Sequence, residues 1–128
     1  MPNDNVDLLH NTYEAFGRGD IPAVMAAFAD DIDWHVPRAV PHGMDAHGKD
    51  EVGGFFQGLA ETLAEFGIEI DDYVASGDRV CVTGRASGRL NGDTTGYGFI
   101  HSWTVADGNC VRFQEYVDPD PELLRAGS

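Results

Sequence analysis

Apolar positions change their spacing halfway along the chain. In the first half they recur every three or four residues. Val6, Leu9, Tyr13 and Phe16 form one stripe, as in an amphipathic helix. Asn3 or Asp4 can cap that helix, and Gly17 and Gly19 can end it. Asp20-Ile21-Pro22 is a second start signal, an N-cap aspartate with a proline in the first turn. Ile21, Val24, Met25 and Phe28 give that short helix one apolar face. Ile32, Trp34 and Val36 then alternate with Asp33 and His35, which predicts a short strand. Pro37 to Gly48, with its prolines and glycines, reads as a loop. Val52, Phe55, Phe56, Leu59, Leu63 and Phe66 predict the longest helix, from about Asp50 to Phe66. Gly53, Gly54 and Gly58 each weaken it by roughly 1 kcal/mol relative to alanine, so packing must hold it.

The second half is punctuated like a strand meander. Ile68, Ile70 and Val74 precede Gly77-Asp78, and a strand from Val80 runs on to Leu90. Asn91-Gly92 is a hairpin signal. Thr94 to Val105 is the next strand, Asp107-Gly108 the next turn, and Val111 to Asp118 the last strand. Three helices in the N-terminal half followed by a curled, mostly antiparallel sheet imply an α+β fold. The concave face of such a sheet is a natural small-molecule pocket.

Length and charge narrow the function classes. The 128 residues suit one domain over 1–128, with 119–128 expected as a loose tail. The net charge of −14 argues against nucleic-acid and anionic-membrane partners. No apolar run is long enough to span a bilayer, and the N-terminus lacks a signal-peptide pattern, so a cytoplasmic protein is expected. Cys81 and Cys110 fit no CxxC pattern and read as core residues, although a disulfide stays open.

The chemistry concentrates on the last hairpin. Period two places Tyr97, Phe99, His101, Trp103 and Val105 on one face of a strand. Val111, Phe113, Glu115 and Val117 share a face of the next. Folding about Asp107-Gly108 brings His101 close to Glu115. A glutamate among apolar residues is a candidate general base, and a histidine beside it can meet an oxyanion or relay a proton. A buried structural hydrogen bond is the alternative reading. His35 is expected on the surface or at an interface. His42, Asp45 and His47 match no metal-ligand spacing, so no metal is expected. Tyr13 reads as core, and Trp34 and Tyr116 line either a pocket or an interface. The acidic runs Asp30-Asp31 and Asp71-Asp72 read as solvated turns or strand ends. No GxGxxG, P-loop, GxSxG or HExxH is present, so nucleotide, serine-nucleophile and zincin mechanisms lack motif support.

Four features together carry a resemblance. They are Gly-Arg-Gly-Asp (17–20), Ala-Phe-Ala-Asp-Asp (27–31) leading into Trp34, the helix after Gly48, and the hairpin Trp103-Thr104-Val105-Ala106-Asp107-Gly108. In their order and spacing the chain resembles the nuclear-transport-factor-2-like superfamily, which includes ketosteroid isomerase and the SnoaL-like polyketide cyclases. The resemblance implies a cone, a curved sheet wrapped around a long helix and enclosing a pocket. It also implies a homodimer through the outer sheet face and an activity without cofactor. His101 falls on the cyclase histidine and Glu115 on the cyclase acid/base aspartate. A cyclase asparagine and glutamine fall on Val36 and Phe99, so the pocket here is greasier. The isomerase residues fall on Val36, Thr12 and His101, none of them retained. The functional expectation is an acid/base enzyme of cyclase or isomerase type on a small hydrophobic carbonyl compound. Its expected catalytic residues are His101 and Glu115, with Trp34, Val36, Tyr97, Phe99, Trp103 and Phe113 against the substrate. The alternatives are a non-catalytic binding module for an apolar metabolite, a dimerisation domain whose own side chains fill the pocket, and an epoxide hydrolase of the kind found on this fold.

Overall fold

A computed structural model describes residues 4–119; Asn3 and residues 120–128 of the expected tail lie outside them, while Pro119, expected in that tail, ends the last strand. The elements run α1 (Asp4–Gly17), α2 (Ile21–Ala26), β1 (Phe28–Val36), β2 (Met44–His47), α3 (Lys49–Thr62), β3 (Ala64–Ser76), β4 (Arg79–Leu90), β5 (Asp93–Ala106) and β6 (Asn109–Pro119). The Asp20 side chain accepts from the Ala23 amide at 3.2 Å and caps α2.

The strands form one curved, unclosed sheet in the order β2-β1-β6-β5-β4-β3. β1 runs parallel to β6, and the other neighbours are antiparallel. α1 packs against β3 and β4, and α3 against β1, β2 and β3. The strands feed this core by alternation. On β4, Val80, Val82 and Ala86 are buried while Arg79, Arg85 and Arg89 are exposed. The architecture is the expected α+β fold, mostly antiparallel with one parallel ladder.

Several local expectations are corrected. The segment expected as a loop from Pro37 to Gly48 contains β2, paired from Val36↔Met44 to Asp33↔His47. Only Ala46 of its four residues is buried, too short an alternation to register as a strand. α3 stops at Thr62 rather than Phe66, because Leu63 is already extended (φ −120°, ψ 116°) and Ala64 pairs with Arg89. Leu63 still buries its side chain, so the apolar spacing survives the change from helix to strand. Phe28 belongs to β1, not to the α2 face. On β6 a bulge displaces Val111, and Cys110 takes the inward place opposite Val105. Asp30-Asp31 and Asp71-Asp72 are exposed, as expected, but lie within β1 and β3 at register shifts.

Candidate active site

β5 and β6 set the site through their register. His101 lies opposite Glu115, Trp103 opposite Phe113, and Phe99 opposite Val117. The expected stripe Tyr97, Phe99, His101, Trp103 and Val105 is buried along its length. Phe99 stacks on the His101 ring at 3.9 Å between centroids, and Phe113 meets it edge-on at 4.9 Å. Gly84, across the sheet from Phe99, makes room for this stack. A Cβ there would sit 2.2 Å from the Glu69 carbonyl oxygen and 2.9 Å from Phe99 Cζ.

His101 and Glu115 are only 5% exposed each, and Nε2 lies 2.6 Å from Oε2. The other ring nitrogen is also occupied. The Tyr13 hydroxyl lies 2.5 Å from His101 Nδ1, and Trp103 Nε1–H donates to the same hydroxyl oxygen at 2.9 Å. This geometry gives the relay a direction. An indole N–H can only donate. Burial holds the Tyr13 phenol well above its ordinary pKa, so it keeps its proton. With its oxygen taking the Trp103 hydrogen, the hydroxyl satisfies its own hydrogen by donating to His101 Nδ1. An imidazole that accepts at Nδ1 carries its hydrogen on Nε2, which then donates to Glu115 Oε2. Tyr13 is thus more than the core residue expected of it. Its helical spacing on α1 signals burial but gives no hint of a partner 88 positions away.

In front of this pair is a cavity of about 60 Å³. Trp34, Val36, Phe99, Trp103, Phe113, His101 and Glu115, all singled out in the sequence, line it. The expected Tyr97 does not. It is buried, but its hydroxyl lies 3.1 Å from Nε2 of His42, which does line the cavity. His42 is a sequence neighbour of Asp45 and His47. The structure separates them, with His42 buried and the other two exposed. Burial lowers the His42 pKa and keeps the ring neutral. Among the described residues no set of His, Cys, Asp or Glu is placed to hold a metal.

Among the described residues, three buried polar atoms of cavity-lining side chains have no hydrogen-bond partner: Glu115 Oε1, Trp34 Nε1 and His42 Nδ1. Leaving such a group unmatched costs about 1–3 kcal/mol. Among the described residues no lysine or arginine lines the cavity, so none of them offers Glu115 a cation there.

His35 lies on the opposite face of β1, as its alternation with Trp34 implies. Its Nε2 is 3.0 Å from Asp33 and its Nδ1 is 2.9 Å from Asp45. These bonds raise the His35 pKa, and the His35 bond lowers that of Asp33, which also pairs with Arg112 at 2.8 Å. Tyr116 is exposed on the outer face opposite Ile100, whereas Trp34 points inward, so the two part company.

Residues 9–113 match the family described as SnoaL-like domain. A nuclear-transport-factor-2-like protein from Burkholderia pseudomallei is 31% identical, covers 99% of each chain and superposes with a TM-score of 0.89. TerC, crystallised with polyporic acid, is 24% identical over 96% of this chain and 99% of its own, with a TM-score of 0.83. A candidate SnoaL-like polyketide cyclase from Jannaschia is 16% identical over 90% of this chain and 85% of its own, with a TM-score of 0.77. At the last two identities the likeness speaks for the fold alone. No curated protein matches the chain significantly in sequence.

Proposed function

The chain belongs to the family of SnoaL-like domains, and on that premise we propose that it is an acid/base enzyme of cyclase or isomerase type, working without a cofactor on a small hydrophobic carbonyl compound. The observation that carries the reading is Glu115, buried at the cavity with Oε2 held by His101 and Oε1 unpartnered among the described residues. Oε1 takes a proton from the carbon next to the carbonyl. The electron pair left behind moves into an enolate, and the same carboxyl later returns the proton. His101 acts on Glu115 rather than on the substrate oxygen, because both of its nitrogens are engaged. Tyr13 and Trp103 hold that ring in place. The aromatic wall of Trp34, Phe99, Trp103 and Phe113 excludes water and strengthens these interactions.

The test is deuterium uptake by a panel of small alkyl and aryl ketones in heavy water. The wild type is expected to exceed buffer by about 10²–10⁴-fold, the usual contribution of a positioned acid/base group. Glu115→Gln retains the shape and can still accept from His101, and it should fall to background while binding the same ketones. Undiminished uptake in that variant removes Glu115 from the reaction. Binding by the wild type without uptake or turnover assigns the chain to the binding-module alternative.

A further inference from the structure

Once His101 is committed to Glu115, the enolate oxygen lacks its expected partner. We infer that the Trp34 indole N–H is the catalytic donor to that oxygen. The inference rests on the acid/base reading of Glu115 and supplies its missing half.

Trp34 is 3% exposed, lines the same cavity as Glu115, and its Nε1 meets no acceptor among the described residues. The ring cannot easily turn away. It stacks on Phe113 at 4.1 Å and is flanked by Phe55 at 5.3 Å, Phe28 at 5.5 Å and Trp103 at 5.8 Å. A donor held by packing before the reaction needs no reorganisation when charge develops. Register also suits it. Trp34 on β1 is level with Phe113 on β6, two positions before Glu115 on the same inward face.

The chemistry fits a neutral donor. An ammonium or guanidinium beside Glu115 would pair with the carboxylate and weaken it as a base. An indole N–H does not, yet in an apolar cavity it binds a developing oxyanion strongly. Having no lone pair to offer, it can be satisfied only by an acceptor such as a carbonyl, enol or enolate oxygen. In the step, the carbon-bound proton passes to Glu115 Oε1, the electron pair moves onto the carbonyl oxygen, and Trp34 N–H bonds that oxygen. Reprotonation from Glu115 restores both groups. His42 and Tyr97 also hold a spare hydrogen: two donors share one mutual bond. That hydrogen can rest on either residue, so it is less fixed than that of Trp34.

Only two tryptophans are present, so the indole N–H signals separate the roles. Phenol, a stable enol mimic, is titrated into the isotope-labelled wild-type protein. The Trp34 N–H should move downfield on saturation, while the Trp103 N–H, already bonded to Tyr13, stays near its place. An unmoved Trp34 signal overturns the inference. Replacing Trp34 with benzothienylalanine exchanges the N–H for sulfur at nearly the same shape. It should slow ketone deuterium uptake by about 10²–10³-fold, the usual loss for one oxyanion donor. Unchanged uptake in that variant also overturns the inference, and leaves Glu115 as the base. A moved Trp34 signal with no uptake by the wild type supports the donor role in binding and refutes the reading of Glu115 instead.

Discussion

Replacing Tyr13 with phenylalanine deletes one oxygen and breaks two hydrogen bonds. Trp103 Nε1–H loses its acceptor at 2.9 Å, and His101 Nδ1 loses its donor at 2.5 Å. Both partner side chains are almost fully buried, Trp103 at 3% and His101 at 5% exposed. Each orphaned group costs about 1–3 kcal/mol. The phenylalanine ring is cheaper to desolvate than the phenol, which offsets part of that cost. A net loss of about 2–3 kcal/mol is expected. With a urea slope of about 1–3 kcal/mol/M, the unfolding midpoint falls by about 0.7–3 M at unchanged slope. Were Tyr13 an ordinary core residue, the substitution would be neutral or slightly stabilising. A midpoint within experimental error of the wild type would refute the relay.

Three further outcomes follow from the structure. His42 is buried neutral with a lowered pKa, so its contribution is present above the unfolded value of about 6.5 and is lost as pH falls through the lower folded value. His35 is raised, so its contribution is present below about 6.5 and is lost as pH rises through its folded value, whereas that of Asp33, lowered, is lost in acid. Urea midpoints against pH should therefore separate His35→Gln from the wild type most between about pH 5 and 6, and least in alkali. Gly84→Ala should cost about 1–3 kcal/mol by overpacking, because its Cβ meets Glu69 backbone and the Phe99 ring; thermal unfolding checks this. Burial pushes the Cys110 thiol up to about 12, so iodoacetamide should leave it unmodified in the native protein and label it after unfolding.

Much of this was legible in the chain because the inner faces of β5 and β6 follow a simple alternation. Two strands joined at Asp107-Gly108 leave His101 few partners other than Glu115, and the structure pairs the two. The bulge at Val111 was not legible, since one inserted residue leaves the pattern on either side intact and merely moves Cys110 inward. Tyr13 and His42 escaped for another reason. Their roles come from contacts with His101 and Tyr97 across 88 and 55 positions, which local periodicity does not encode. β2 escaped because only Ala46 turns inward. His101 meets Glu115 rather than an oxyanion because hydrogen-bond occupancy is a property of the assembled site. A donor is free for substrate only if no neighbour has already taken it.

The account turns on the direction of the Trp103–Tyr13–His101–Glu115 relay, which sets Glu115 Oε1 apart for the substrate. Nitrogen-15 NMR of His101 reads that direction at both ring positions. The relay predicts a hydrogen on Nε2 and a bare, accepting Nδ1 that changes its shift in Tyr13→Phe. A hydrogen on Nδ1, or an Nδ1 signal indifferent to Tyr13, would contradict it.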